Sequence, residues 1–458
     1  LDEDLVKIPY VNGGIFSKNI SIASCDVTTK LHLIGCCDFD WSAISAAIFG
    51  SLFQGVMDEK ARRHLGAHYT SERNILKLVK SLFLDDLYIE LDEVRHDPKR
   101  LDIFHTKLGR LKFLDPACGC GNFLVIAYRE LRMLEMKILE IKIKDGVEIP
   151  EDPSRISVEQ FYGIEIEEFP ARIAEVAMHL IDHQMNIELG KILGRYLYRL
   201  PIKKSATIRN ADALSFDWDE LIQKKELSFI LGNPPFSGAR LMSETQKEEL
   251  LKVFDDMSGA GNLDFVTAWY AKAAKYIQGT KIKVGFVSTN SISQGEQVGI
   301  LWKYLKDLNI VIHFAHQTFR WSNDAPGVAA VYCVIIGFGV FDIERKYLYE
   351  YENIQGEDKE REVKYINPYL VEGEDILIEN RTKPICNVPE ITYGNQPNDG
   401  GNFLFTEEEK DEFLRTEPDA IPYMKELISA KEYLNGEKRY CLLLKDIEPE
   451  ILRKLPKV

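Results

Sequence analysis

Short apolar strands alternate with amphipathic helices from about residue 62 to residue 345. A chain of this pattern buries its strands in a mostly parallel sheet and places helices on both faces. The strands are predicted at 111–115, 161–166, 206–210, 227–231, 283–288, 310–315 and 328–338. The last strand follows its predecessor without a long helix between them, which indicates an antiparallel hairpin at the edge. The predicted fold class is therefore α/β, a doubly wound sheet with an antiparallel edge hairpin.

Polar side chains stand at the ends of four successive predicted strands. They are Asp115, Glu165, Asp212 and Asn233. In an open α/β sheet the carboxyl ends of the strands share one edge, where ligands bind. Any one of these residues alone is compatible with a helix cap or a solvated surface position. Four of them in order along the chain predict a ligand site at that edge.

A glycine-rich turn follows the first of these strands. The segment Asp-Pro-Ala-Cys-Gly-Cys-Gly-Asn-Phe-Leu at 115–124 leads into a long apolar helix. Gly119 and Gly121 allow a ligand to approach the backbone closely, and amide groups converge at the start of the helix. Such a turn alone is weak evidence, since similar turns bind dinucleotides or nothing. Cys118 and Cys120 are interpreted as small fillers rather than metal ligands or nucleophiles.

Asn-Pro-Pro-Phe at 233–236 follows the fourth strand and forms a stiff turn, because proline fixes φ and extends the residue before it. The turn presents the Asn233 amide oxygen, the Pro234 carbonyl and the Phe236 ring. Two acceptors and an aromatic face suit methylation of a planar amino group, whose delocalised lone pair is a poor nucleophile. Alone, the string is equally compatible with a plain Pro-Pro turn; the three acids at the other strand ends favour the functional interpretation.

Composition limits the remaining classes of function. The formal net charge of −15 argues against a chain that grips nucleic acid over its whole surface, although a local basic cleft is compatible with it. The longest uncharged apolar run, 327–341, is too short to span a membrane and is interpreted as a buried strand. Eight cysteines without a CxxC pair indicate neither a zinc ribbon nor a disulfide framework, which favours the cytoplasm.

The motifs resemble those of class I methyltransferases that use S-adenosylmethionine, which have a Rossmann-like sheet. Segment 115–124 is similar to the first, methionine-binding motif of the N6-adenine DNA methyltransferases, and 233–236 to their catalytic motif. Gly-Ala-His-Tyr-Thr-Ser at 66–71 resembles the additional cofactor-binding motif that precedes the first motif in the gamma subclass. This order of motifs implies adenine N6 as the methylated atom, reached by base flipping and direct in-line transfer.

Further segments resemble the MmeI-type single-chain restriction-modification enzymes. They lie at 10–16, 182–186, 261–266, 291–297 and 397–401, so that the likeness covers nearly the whole chain. The resemblance implies an N-terminal linker and helical segment at 1–61, a methyltransferase domain at 62–345 and the start of a truncated target-recognition domain at 346–458. Double-stranded DNA is the implied partner. A nuclease and the complete recognition domain are expected in other parts of a parent chain, since no Asp…Glu-x-Lys cluster is evident in this sequence.

The resemblance also implies roles for individual residues. The catalytic residues are expected to be Asn233, Pro234, Pro235 and Phe236. The cofactor-binding residues are expected to be Tyr69, Thr70, Asp115, Ala117, Cys118, Gly119, Gly121, Asn122, Phe123, Glu165, Ile166, Asp212 and Ala213. No metal is expected, and His179 and His183, although spaced as metal ligands on a helix, are interpreted as packing residues.

Several alternatives stay open. Methylation of a protein glutamine or of an RNA amine uses related Asn-Pro-Pro strings, and a non-catalytic DNA-recognition subunit can keep the same fold. Phe319 or Trp321 could supply a second aromatic ring against the target base, but a core position is an equally good interpretation of both. The recognition sequence, the modified strand, DNA cleavage by a parent protein and the oligomeric state do not follow from the sequence.

Overall fold

The computed structural model describes residues 25–38, 71–195, 197, 205–321, 331–353, 356–378, 381, 383–389, 399–445 and 447–458. They belong to two compact units, Leu1–Asn380 and Arg381–Val458. The first unit is built on a nine-stranded sheet and the second on a three-stranded sheet. No helix in the described part of the chain is long and apolar enough to cross a membrane.

Nine strands form the large sheet in the order β3-β2-β1-β4-β5-β7-β6-β8-β9. The strands are β1 (Phe113–Asp115), β2 (Phe161–Glu165), β3 (Thr207–Asn210), β4 (Phe229–Gly232), β5 (Lys283–Thr289), β6 (Val311–Trp321), β7 (Val331–Gly339), β8 (Lys346–Tyr351) and β9 (Asp358–Val363). The strands from β1 to β5 are all parallel to one another. The chain runs outward from β1 to β3 and then returns to β4, so that the topological switch point lies between β1 and β4.

Helices cover both faces of this sheet. Among the residues that the structure describes, the helices of the first unit are α1 (Val27–Asp38), α2 (Glu72–Val79), α3 (Asp85–Val94), α4 (Pro98–Leu108), α5 (Asn122–Lys144), α6 (Glu168–Leu193), α7 (Glu244–Val253), α8 (Thr267–Tyr276) and α9 (Glu296–Asp307). α1 has no buried residue and does not contribute to these layers. A π-helical turn, Lys80–Leu84, joins α2 to α3. Two hydrophobic clusters hold the layers together: Phe113 belongs to the cluster with α5 and α6, and Leu114 to the cluster with α8 and α9. Successive residues of β1 therefore face opposite layers, which confirms the doubly wound α/β prediction.

The antiparallel strands differ in detail from the sequence prediction. β6 and β7 pair antiparallel as expected, and β7 also pairs antiparallel with β5. They are not outermost, because β8 pairs parallel with β6 and β9 pairs antiparallel with β8. The antiparallel hairpin at the edge is therefore formed by β8 and β9, within residues that the sequence analysis assigned to the last segment. The domain boundaries themselves stay a prediction.

The second unit has a small core. Its strands are β10 (Leu404–Phe405), β11 (Met424–Leu427) and β12 (Arg439–Leu442), with β12 in the centre and both neighbours antiparallel to it. Its helices are α10 (Glu407–Thr416), α11 (Ala430–Asn435) and α12 (Pro449–Leu452). Among its described residues, the buried hydrophobic ones are Ala420, Leu442 and Leu455.

Candidate functional site

Asp115 ends β1 at the switch point and is fully buried. Its Oδ1 accepts a hydrogen bond of 3.0 Å from the amide of Ala117, whereas its Oδ2 has no hydrogen-bond partner among the described residues. Burial raises the pKa of this carboxyl to about 8. The side chain lies against Gly232, where an added Cβ would come within 2.5 Å of Asp115 Oδ1. Asp115 and the residue that precedes Asn233 are therefore in direct contact.

The glycine-rich turn between β1 and α5 is tied to the end of β2. The amide of Gly119 donates to Glu165 Oε2 over 2.9 Å, and the amide of Glu167 donates to Oε1 over 2.9 Å. Gly119 and Gly121 have φ angles of +53° and +85°, which residues with a Cβ rarely adopt. Burial raises the pKa of Glu165. The turn and the Glu165 carboxylate are thus held together at the carboxyl edge of the sheet, and their contact with a cofactor stays a prediction.

The two cysteines of the turn are buried thiols. Burial raises the pKa of the Cys118 thiol well above its usual value, and that of Cys120 to about 12. Burial thus disfavours the thiolate form at both positions. Cys118 lies against Gly163 of β2, where an added Cβ would come within 2.7 Å of its Sγ. Their interpretation as small packing residues agrees with this environment.

Asp212 follows β3 and caps the turn after it. Its Oδ1 accepts from the amide of Leu214 over 2.9 Å, and its Oδ2 from the amide of Ser215 over 3.1 Å. Asn210 donates from its side chain to the backbone oxygens of Glu165 and Ile166, over 3.0 and 2.7 Å. These bonds hold the ends of β2 and β3 side by side. The contacts of Asp212 show that it caps this turn. Its contact with a ligand stays a proposal.

The Asn-Pro-Pro-Phe turn leaves the sheet directly after β4. Pro234 is buried, and Asn233 and Phe236 are half-buried. Phe236 packs against the edges of both hydrophobic clusters, which fixes its ring at the boundary between the two layers. The ends of β3, β2, β1 and β4 are adjacent in the sheet. The structure therefore brings Asp212, Glu165, Asp115 and Asn233 to one edge in that order.

One residue of this edge was not singled out from the sequence by itself. Asp264 is 6% exposed, and its Oδ1 accepts from the amide of Ala239 and from Gln297 Nε2, over 3.1 and 3.0 Å. Its Oδ2 accepts from the hydroxyls of Thr289, over 3.0 Å, and Ser291. Asp264 thus joins the loop after Phe236 to the end of β5. The only sequence signal was its place in segment 261–266, one of those similar to MmeI-type enzymes.

The other predicted site residues divide into three groups. Ala117, Asn122, Phe123 and Ala213 lie in or next to the turns described above, and Ile166 is 58% exposed at the same edge. Buried Asn122 Oδ1 has no hydrogen-bond partner in the described part of the chain. Tyr69 and Thr70 lie outside the described residues.

Phe319, one of the two aromatic candidates, does not contribute to this edge. Phe319 is 2% exposed and stacks on Tyr351 with ring centroids 5.2 Å apart, so it is a core aromatic. For Trp321 only the backbone is described. No group of three or more metal-binding side chains occurs within the described ranges. Burial lowers the pKa of His179, which agrees with a packing role.

In the comparison with known proteins, the candidate-site residues that the structure describes all fall within one matching region. Residues 91–350 match the family model described as the MmeI DNA-methyltransferase domain, and residues 372–458 match the model of the MmeI target recognition domain. DNA methyltransferase A of Bacillus subtilis (strain 168) is 39% identical over 457 residues, which are 99% of this chain and 51% of that protein.

A solved structure is similar over the full length. It is that of the type IIL restriction-modification enzyme MmeI in complex with DNA, with a TM-score of 0.91 and 50% identity. The match covers 100% of this chain and 61% of the MmeI chain. The chain thus spans about half the length of the Bacillus relative and less than two thirds of the solved MmeI chain.

Proposed function

The chain belongs to the MmeI family of DNA methyltransferases, and from that premise we propose that it methylates adenine N6 in double-stranded DNA with S-adenosylmethionine. The observation that carries the proposal is the contact between Asp115 and Gly232. It places the acid that ends β1 beside the turn that begins at Asn233. A methyl donor bound at the first and an amine bound at the second would meet at the switch point of the sheet.

The residues present fit the proposed cofactor. Asp115 Oδ2, buried and without a hydrogen-bond partner among the described residues, suits a donor on the methionine portion. Each Glu165 oxygen accepts one amide in the structure and keeps lone-pair capacity for the ribose hydroxyls. Exposed Ile166 offers an apolar surface for the adenine ring, and Asp212 an acceptor for its amino group. Bound in this way, the cofactor would supply an electrophilic methyl group.

The Asn-Pro-Pro-Phe turn would prepare the attacking nitrogen. Asn233 Oδ1 and the Pro234 carbonyl accept the two N–H groups of the target amine, which favours a pyramidal nitrogen with its lone pair available. Phe236 stacks on the plane of the base. Taking the adenine out of the duplex costs roughly a few kcal/mol, which binding in the turn has to offset. Transfer would then be direct: the nitrogen would bond to the methyl carbon as the carbon–sulfur bond breaks, S-adenosylhomocysteine would leave, and the methylated amine would release one proton. No thiolate and no covalent intermediate would be needed.

The match of residues 372–458 to a target recognition domain supports DNA as the macromolecular substrate. We place the activity in a restriction-modification system in the cytoplasm, where the wild-type chain would mark its own recognition site. The site on the described edge carries out methyl transfer alone; cleavage of DNA is not assigned to these residues.

Labelled S-adenosylmethionine, offered with DNA, RNA and protein, tests the proposal. Label is expected in N6-methyladenine of DNA. Label in glutamine or in RNA would overturn the choice of substrate, and no label in any of the three would favour a non-catalytic recognition subunit.

Asn233→Ala tests the site itself. It is expected to lower turnover by roughly 10²–10³-fold or more, with cofactor binding largely retained, because the amide oxygen acts only on the amine. Asn367→Ala is a matched control, since Asn367-Pro368-Tyr369 is similar in sequence. Asn367 Oδ1 accepts from the amides of Tyr369 and Val371 over 3.0 and 3.4 Å and shapes a turn. Near-normal turnover of Asn233→Ala would contradict the proposal.

A further inference from the structure

The loop 237–241 connects the Asn-Pro-Pro-Phe turn to α7, and its backbone is held at several points. The carbonyl of Ser237 accepts from the amide of Phe265 over 2.9 Å. The amide of Ala239 donates to Asp264 Oδ1 over 3.1 Å, and the amide of Leu241 closes a tight turn by donating to the carbonyl of Gly238 over 2.8 Å. These hydrogen bonds hold the backbone of the loop in one conformation.

Both ends of this loop rest on rigid supports. Asp264, which holds Ala239, is itself fixed by Thr289, Ser291 and Gln297. Beyond the loop, Ser243 caps α7 by accepting from the amide of Gln246 over 3.2 Å, while the Gln246 side chain accepts from the amide of Ser243. The loop is therefore anchored at Ala239 by Asp264 and ends at a capped helix.

The tip of this fixed loop carries an exposed apolar side chain beside an exposed cation. Leu241 is 83% exposed, and neighbouring Arg240 is also exposed. Within the described part of the chain, no carboxylate forms an ion pair with Arg240. A single exposed leucine is ordinary on a protein surface. Here the leucine lies on a loop that hydrogen bonds hold in place and that directly follows the proposed catalytic residues. A side chain held in this way could be inserted between bases as a wedge.

We propose that Leu241 enters the DNA duplex beside the target adenine and occupies the space that the flipped base leaves, while Arg240 contacts an adjacent phosphate. The inference rests on the proposed function and deepens it. An apolar side chain inserted between base steps replaces lost stacking, and an arginine beside it neutralises backbone charge. Asp264 is then a positioning residue, since it holds the loop without reaching the base.

Two DNA duplexes test the wedge with the full chain. Both carry the site that the wild-type protein methylates; in one the target adenine is paired, and in the other it is mismatched. Leu241→Ala is expected to lower kcat/KM roughly tenfold or more on paired DNA and little on mismatched DNA, because a mismatched base is easier to extrude. With 2-aminopurine at the target position, wild-type fluorescence is expected to rise on binding, and that of Leu241→Ala to rise less.

Two further variants serve as a control for the loss of an exposed apolar side chain and as a test of the phosphate contact. Ile103→Ala is the matched control, since Ile103 is 70% exposed on α4. Its neighbour Asp102 pairs with Lys142 at the C-terminal end of α5, which is the end remote from the glycine-rich turn and the candidate edge. It is expected to leave both substrates unaffected. Arg240→Gln is expected to weaken binding to both duplexes equally and to reduce the salt dependence by about one phosphate contact.

Equal losses by Leu241→Ala on paired and mismatched DNA would overturn the wedge, and so would an unchanged kcat/KM on both. A wild-type chain that methylates adenine without any fluorescence rise would also overturn it and leave the proposed function standing. Failure of the proposed function is seen separately, as the absence of label in N6-methyladenine.

Discussion

Asp115 is the residue whose environment makes the clearest prediction about pH. Its carboxyl is fully buried against Gly232, and its pKa is raised from 3.8 to about 8. A carboxyl whose pKa is higher in the folded than in the unfolded state contributes stability at low pH, because the folded state then binds the extra proton. That contribution is fully present below about pH 4 and is lost as the pH rises through 8.

Asp115→Asn should remove this dependence, because an amide of the same shape stays neutral. We expect the melting temperature of the wild-type protein to fall between pH 6 and pH 9 relative to that of the variant. Scanning calorimetry of both proteins across this range is the measurement. Exposed Asp307→Asn serves as the control and should follow the wild-type curve. Parallel curves for wild type and Asp115→Asn would mean that the buried carboxyl is not protonated in the folded state.

For single residues, the sequence predicts the position relative to a strand better than the side-chain contacts. Asp115, Glu165, Asp212 and Asn233 come at strand ends in the structure as in the prediction, because strand periodicity and chain order determine those positions. Asp264 could not be found in the same way. Its bonds reach residues 25 to 33 positions away, and such pairings depend on how the loops meet after folding.

Among the elements, the packing of α5 on α6 depends on a buried ionic group. Arg132 of α5 is fully buried and donates to the Tyr128 hydroxyl over 2.6 Å and to Asn186 of α6 over 2.9 Å. It forms ion pairs with Asp182 at 3.1 Å and with buried Glu135 at 3.2 Å. Loss of the guanidinium would remove this counter-charge from buried Glu135, which also accepts from the Ser154 hydroxyl and the amides of Arg155 and Ile156.

Arg132→Met should therefore lower the free energy of unfolding by about 3–5 kcal/mol, the usual cost of breaking a buried ion pair from one side. Chemical denaturation measures the change. Lys137→Met on the same helix is the control, because Lys137 is exposed, with Nζ 4.4 Å from the centre of the Tyr88 ring. It should cost about 1 kcal/mol or less. Similar decreases in the free energy of unfolding of the two variants would show that the buried guanidinium stabilises the protein no more than an exposed charge does.

The elements themselves were predictable to different degrees. All seven predicted strands occur, since alternation with helices is a local signal that each segment carries. β8 and β9 were missed because their sequences are rich in charge and tyrosine, and every residue of β9 except Val363 is exposed. They join the sheet by pairing with β6 and with each other, which no local pattern indicates.

At the scale of the whole molecule, the two units have very different cores. The large unit contains two extended hydrophobic clusters on the faces of its sheet, whereas the small unit buries Ala420, Leu442 and Leu455. Hydrophobic burial is the main source of stability, so the small unit should open more easily. A protein of this kind is expected to unfold in more than one step.

Hydrogen exchange followed by mass spectrometry should separate the two units. Amides of β10 to β12 are expected to exchange before those of β1, β4 and β5. S-adenosylhomocysteine at 100 times its dissociation constant should stabilise the unit that binds it by about 2.7 kcal/mol. The added protection should therefore appear in β1, β2 and the glycine-rich turn and not in β10 to β12, and homocysteine alone should not reproduce it. Equal protection of both units would mean that they open together, in which case the small core draws its stability from the rest of the chain.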